Sequence, residues 1–414
     1  MKKRFLAIAL CGAMGAALLA GCGSGSSDSG TDTDDTSAAA ETTEETADAE
    51  ESSYDLDGSW PEEGVTIGVE VYDTTDEQFL AMQEYFDYLE EYFNISFMYS
   101  ESIENSEGEL DFISSCASAG CDAIMGYYNV SGAEAIQQTI DQGMYYWGTE
   151  QYYDDFADEE LYVGTYTFIE DESSTENGDY LGGYQMAYSL AEQGVTHVFY
   201  CNGGVSFGVQ MFIDRQNGFL AGIADAQADG YEITFDIDSD VIEGWPGTDD
   251  FTSAVGKMLA GDYDGVAVSF NAASLFQPIA DAGRSDSISV ATIGETNDTY
   301  YDAVNSGLVT CIVYDCEEIV FANAVVQIVN AVTGHSDVTR TDDGKAGKIL
   351  TQRWTVTDSD TFNAIYEYHD EGNFFVTAED MANMFAGMNE SITFNDIYEY
   401  YSSIDAETAI AGIE

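Results

Sequence analysis

The sequence predicts an α/β fold: two doubly wound lobes built on parallel sheets, followed by a helical C-terminal appendage. Three observations predict it. Between Val65 and Tyr314, short β-rich runs alternate with amphipathic stretches, the pattern of parallel strands covered by helices on both faces. About ten such runs occur, more than one small sheet takes up economically. Pro61, Pro246 and Pro278 are the only prolines, and all three are expected at segment edges, as strand–helix units require.

Composition narrows the function classes. The 414 residues include 10 Lys+Arg and 78 Asp+Glu, a formal net charge of −68, while hydrophobic residues make up 45%, a globular share. No Lys or Arg stands between Arg4 and Arg215, so the first half offers no basic groove. Nucleic acid and anionic lipid surfaces are excluded as close partners, because both need clustered cations. Such strong charge fits an exterior setting where it maintains solubility.

Residues 1–21 read as an export signal. Lys2, Lys3 and Arg4 precede an apolar run over 5–20, too short to span a bilayer comfortably, that ends in Leu19-Ala20-Gly21-Cys22. This ending resembles the lipobox of bacterial lipoproteins. The resemblance implies that the Cys22 thiol takes a diacylglyceryl group and that the protein is lipid-anchored on the outer face of the cell membrane. Residues 22–61 are expected to be a flexible acidic linker. Within them 23–53 contain only Gly, Ala, Ser, Thr, Asp and Glu, which form no core and as a coil reach about 30 Å. No later run is long and apolar enough for a transmembrane helix.

Strands are expected at 65–72, 95–99, 123–127, 145–147, 161–166, 197–200, 233–237, 265–270, 289–293 and 308–314. Helices are expected at 77–92, 133–141, 180–192, 208–228, 250–260 and 317–332. The first lobe is assigned 62–178 plus 315–335, the second 179–314 plus 336–357, and the appendage 358–414. In that tail, helices are expected at 358–368, 377–388 and 393–401; Thr377 with Asp380, and Thr393 with Asp396, have capping-box spacing.

Cysteines and metals come next. Cys116, Cys121, Cys201, Cys311 and Cys316 remain once Cys11 leaves with the signal and Cys22 carries lipid. The two C-x4-C pairs leave disulfides and metal ligation open, but the apolar runs around Cys201 and Cys311 favour buried free thiols. Zinc is disfavoured, because His197, His335 and His369 are the only histidines and none pairs with a Cys at ligand spacing. The acids at 236–240 do not make a calcium loop: Val241 stands where Gly is required and Gly247 where Glu is required. They read instead as alternating acids on a strand's outer face. No metal and no cofactor is expected.

Several local patterns resemble the type I periplasmic binding proteins for ribose and galactose. Cys121-Asp122-Ala123-Ile124-Met125, a helix, then Gln142-Gly143-Met144-Tyr145-Tyr146-Trp147 is similar to one strand–helix–strand unit of that family. Asp179-Tyr180-Leu181-Gly182-Gly183 resembles its crossing into the second lobe, and Arg215-Gln216-Asn217-Gly218-Phe219 its R-x-x-G-F helix. Lys257-Met258-Leu259 through Asn271, Val290 to Gly294, and Ser306-Gly307-Leu308 to Tyr314 follow its last three strands, so that 64–335 is covered.

The resemblance implies two Rossmann-like lobes on a three-segment hinge, near 177–180, 314–315 and 334–337. It also implies a non-enzymatic, monomeric substrate-binding component of an ABC importer that captures a small sugar and delivers it to a permease. Its ligand contacts come from loops at strand carboxyl ends. Carried across, they are Asp76, Gln78 and Phe79; Glu150 and Gln151, where the family has an Asp-Arg pair; Arg215; Trp245; Asn271; Glu295, where the family has Asp; and Tyr314. The residue types suit a sugar on their own terms: flat aromatics cover its C–H faces, and carboxylates, amides or a guanidinium take adjacent hydroxyls.

Competing readings stand beside this one. Gly204-Val205-Ser206-Phe207-Gly208 fits the G-x-S-x-G elbow of a lipid-anchored serine esterase, with His335 or His369 available as base. The abundant carboxylates fit a glycosidase. Within the same fold, the ligand could be a nucleoside or a signal sugar, presented to a sensor kinase or chemoreceptor.

Overall fold

Parallel pairing dominates because most strands are followed by a helix that crosses over the sheet before the next strand. The first lobe runs β1 (Val65–Val69), α1 (Glu77–Tyr92), β2 (Ile95–Tyr99), α2 (Ser106–Ala119), β3 (Ala123–Gly126), α3 (Ala133–Asp141), β4 (Tyr145–Gly148) and β5 (Tyr162–Thr167). The second runs α4 (Gly178–Glu192), β6 (Val198–Cys201), α5 (Gln210–Ala228), β7 (Val241–Ile242), α6 (Asp249–Ala260), β8 (Gly265–Val268), α7 (Ala273–Asp281), β9 (Ser289–Ile293), α8 (Asp298–Asn305) and β10 (Val309–Tyr314). The chain returns through α9 (Glu317–Val332) and β11 (Gly347–Leu350), crosses again to β12 (Trp354–Val356), and ends in α10 (Ser359–Asp370), α11 (Ala378–Met384), α12 (Phe394–Ser403) and α13 (Ala406–Ala411). The structure, a computed structural model, describes residues 54–169 and 176–413; the expected signal, Cys22 and the linker to residue 53 lie outside the described residues.

The strands form two six-stranded sheets, ordered β11-β5-β4-β3-β1-β2 and β12-β10-β9-β8-β6-β7. Only β12 runs antiparallel, against β10. Both sheets reverse direction of growth beside their first strand, between β1 and β3 and between β6 and β8. At such switch points the strands' carboxyl ends open a crevice. Helices start there on side-chain caps: Asp76, Asn177, Thr248 and Asn297 accept backbone N–H bonds at the starts of α1, α4, α6 and α8.

The structure differs from the sequence expectation in several places, among them helices at Ser106–Ala119, Ala273–Asp281 and Asp298–Asn305 that the pattern did not announce. Residues 233–237 form no strand. Thr234 makes one isolated bridge to His197, and the sheet edge is β7 instead. The acids at 236–240 are a turn, not a strand face: buried Asp240 accepts from the Asp236 N–H at 2.8 Å and from the Tyr263 hydroxyl at 2.9 Å. Pro278 lies inside α7 rather than at an edge. Residues 336–357 do not belong wholly to the second lobe, because β11 pairs with β5 of the first. The third crossing is therefore at 351–353, not at 334–337. The five cysteines are all buried and free, and both capping boxes form.

One side chain ties the three crossings together. Arg353, on the third, donates from Nε and Nη2 to Asp315 on the second, the latter bond 2.7 Å. Its Nη1 donates to the Gly178 carbonyl at the start of α4. Its guanidinium lies 4.5 Å from the ring centre of Phe168, where the first crossing begins. The side chain is 2% exposed. The appendage touches both lobes. The Tyr85 hydroxyl of α1 donates to the Val376 carbonyl at 3.0 Å, while Asn363 of α10 exchanges hydrogen bonds with Asn305 of α8.

Removing the guanidinium strands Asp315 among buried carboxyls. Arg353→Ala is expected to cost roughly 3–5 kcal/mol of unfolding free energy, read by urea denaturation; a loss under about 1 kcal/mol would contradict the hinge-pin role.

Candidate functional site

The carboxyl ends of the two sheets bring together the loops after β1, β3, β4, β6, β7, β8, β9 and β10. The N-terminus of α1 carries the first group. Asp76 spends its side chain on the cap, Oδ1 accepting from the Gln78 and Phe79 N–H groups at 3.1 and 3.4 Å. Burial nevertheless raises its carboxyl above the ordinary range, against those two bonds. Phe79 is not an open wall. It is 4% exposed, with its ring edge-on to Tyr99 at 5.5 Å in the core. Gln78 donates from Nε2 to Glu317 Oε1 at 2.7 Å.

Glu77, between them, is the residue that sequence reasoning missed. Its Oε2 accepts from Asn271 Nδ2 at 2.7 Å and its Oε1 from the Thr299 hydroxyl at 2.8 Å. Both partners belong to the other lobe, so one carboxylate latches the lobes together. Asn271 is thereby drawn into the latch; its Oδ1 meanwhile accepts from the Ala273 N–H at 2.8 Å.

Glu295 and Tyr314 meet Glu317 at the junction of β9, β10 and α9. Glu295 is 4% and Glu317 3% exposed. Burial, then the neighbouring Glu317, pushes the Glu295 carboxyl well above the usual carboxylate range. Burial, then Asp315, pushes Glu317 up to about 7. Tyr127, after β3, faces the same group: burial first, then Asp76, Glu317, Glu295 and Asp315, hold its hydroxyl neutral. A further acid at the first switch point, Glu70, is fully buried with no partner at either oxygen, and burial with Glu109 nearby raises it strongly. It follows β1 directly and reads in sequence as ordinary strand alternation.

The remaining expected residues are placed elsewhere. Glu150 adopts φ 56°, and its Oε1 accepts from the Gly178 N–H at 2.6 Å. It serves the start of α4 and the hinge, and burial with Asp179 nearby, partly offset by Arg353, raises it to about 7. Gln151 is exposed and accepts from the Tyr153 hydroxyl at 2.8 Å. Arg215 bonds Asp179 Oδ1 at 2.7 Å and the Ser269 carbonyl at 2.6 Å. Trp245 is 41% exposed and leans on Phe212 and Phe270, ring centres 5.2 and 5.4 Å away, leaving an aromatic surface on the second lobe.

The esterase constellation does not assemble: the Ser206 N–H donates to Glu243, His369 bonds Glu318 at 3.3 Å, and neither His369 nor His335 is hydrogen-bonded to Ser206 among the described residues. Those residues hold no group of three or more His, Cys, Asp or Glu able to bind a metal ion.

No protein-family model matches the chain, and no curated protein matches it. Solved structures do. An ABC transporter solute-binding protein from Bacillus halodurans C-125 with bound myo-inositol is 17% identical, with TM-score 0.53, over 74% of this chain and 98% of that one. The arabinose-transporter periplasmic binding protein from Shewanella sp. ANA-3, bound to L-arabinofuranose, is 16% identical, with TM-score 0.54, over 74% and 96%. The transcription regulator CcpA of Lactococcus lactis is 16% identical, with TM-score 0.51, over 71% and 98%. The fold is that of the type I periplasmic binding proteins.

The raised carboxyls fix a pH dependence. Their folded pKa values lie above the unfolded ones, so the stability they contribute is complete below about pH 4.5 and is lost as pH rises through about 7 for Glu317 and Glu150. Asp240 and Asp264, held low chiefly by hydrogen bonds that outweigh burial, act oppositely and lose stability only in stronger acid. The melting temperature is expected to peak near about pH 5 and fall toward about pH 8, with Glu317→Gln flattening the fall. Calorimetry showing stability constant or rising over that interval would contradict the assignment.

Proposed function

We propose that the protein is an extracytoplasmic solute-binding lipoprotein: it captures a small sugar or polyol by closure of two lobes and delivers it, chemically unchanged, to an ABC transporter permease. The observation that carries this is the Glu77 latch, a carboxylate of one lobe held by Asn271 and Thr299 of the other across the carboxyl ends of both sheets. A solute lying between the lobes binds the closed form better, and that difference alone shifts the population. The solutes named for the neighbours, myo-inositol and L-arabinofuranose, support a polyhydroxylated ligand.

Anchoring at Cys22 completes the proposal. Among the described residues no helix is long and apolar enough to cross a membrane, and a lipid on Cys22 followed by an acidic tether would hold the binding body at the outer face. Radiolabelled palmitate is expected on the wild type and not on Cys22→Ala; label persisting in that variant contradicts the anchor.

Binding is tested by thermal shift with a panel of sugars and polyols. A solute at a hundred times its Kd is expected to stabilise the protein by about 2.7 kcal/mol and to be recovered intact. Glu77→Ala is expected to weaken its apparent affinity by lowering the closed fraction. Consumption of the solute, or a full affinity in Glu77→Ala, would sink the reading.

A further inference from the structure

At the side of the lobe junction lies a cavity of about 330 Å³, within the range that holds sugar-sized ligands. Its walls come from three places: α1, the β9–α8 loop with the start of α9, and the appendage, which contributes Tyr366, His369, Asp370 and Phe374. Carboxylates dominate the lining, with no Lys or Arg in it. His369, the one lining side chain able to become a cation, is committed to Glu318.

Three of those carboxylates are more than nine-tenths buried, and each has a buried oxygen that accepts from no donor among the described residues. They are Glu295 Oε1, Glu317 Oε2 and Glu318 Oε2. Their other bonds are specific: Glu317 takes the Gln78 amide, and Glu318 takes the Phe375 N–H at 2.8 Å. Buried carboxylates left without partners cost more than almost any other arrangement. Glu295 and Glu317 neighbour one another in the cavity wall, and each perturbs the other's carboxyl. An ammonium offers three N–H donors and a full positive charge in one compact cation. Tyr314 and Phe374 line the same space with rings that favour a cation over their faces. A neutral hydroxyl supplies one donor and no charge.

We propose that this cavity seats a protonated amine, so that the captured solute is an amine-bearing small molecule, of the class of amino sugars and polyol amines, rather than a neutral sugar. The inference rests on the solute-capture reading and sharpens its ligand class. It also gives the appendage a role, because α10 and the turn after it wall the amine's seat.

The test is titration calorimetry of the full chain with two matched panels: amines and amino sugars, D-glucosamine among them, and their neutral counterparts, D-glucose and N-acetyl-D-glucosamine among them. The expected result is heat from one or more amines and none from the acetylated or hydroxyl counterpart. Glu295→Gln combined with Glu317→Gln is expected to weaken that amine by about tenfold or more. The double variant keeps the side-chain shape and removes like-charge repulsion, so it should melt at or above the wild-type temperature, which separates lost binding from lost fold. Neutral sugars binding while every amine fails, or the double variant binding an amine at full strength, overturns the inference and leaves solute capture standing. Failure of both panels overturns solute capture, and this inference with it.

Discussion

A single buried guanidinium carries the constraint on which the two-lobed arrangement depends. The chain passes between the lobes three times, and Arg353 touches all three passages: Phe168 by its face, Asp315 by two hydrogen bonds, and the third because it stands on it. A fully buried Arg is stable only where a carboxylate and a carbonyl absorb its charge and donors. Asp315 and Gly178 do so here. In a chain with so few basic residues, placing one at this depth fixes where the lobes can pivot.

Around that pin the charge balance is lopsided. Arg215 and Arg353 neutralise Asp179 and Asp315, and His369 faces Glu318. Among the described residues, Glu295, Glu317 and Glu70 pair with no cation. Burial raises all three carboxyls above the ordinary range, which ties the protein's stability to pH. It also leaves the junction electrostatically unsatisfied until something positive, or a proton, arrives. The same fold serves a transcription regulator among the structural neighbours, so the architecture alone does not fix a role, and the proposed solute class rests on the side chains at the junction.

Much of the fold was legible because the strands are short β-branched or aromatic runs and the helices are amphipathic: α1, α3 and α9 have the bounds their periodicity predicts. The misses have physical causes. Helix α2 is rich in Ser, and Ser114, Ser115 and Ser118 satisfy their hydroxyls on carbonyls four residues back, a bond no periodicity reveals. The third crossing carries no Gly or Pro to announce it, whereas Gly334 only ends α9. In the candidate site, the structure places Glu295, Tyr314, Gln78 and Asn271 at the lobe junction, where their positions after strands or at a helix start predict them. Phe79 was misread because a helix's first turn faces both the crevice and the core. Glu77 was invisible, since its partners lie 194 and 222 residues away.

The central claim is that the lobes close on a solute about the pinned hinge. All five cysteines of the described body are buried, so cysteines introduced at exposed Glu134 and Asp249, at the starts of α3 and α6, would take spin labels selectively. Pulsed electron paramagnetic resonance of that pair measures the interlobe distance directly. With a binding solute, the account predicts a single short distance that broadens or lengthens when the solute is removed and when Glu77 is replaced by Ala. One distance, unmoved by bound solute and by loss of the latch, would contradict it.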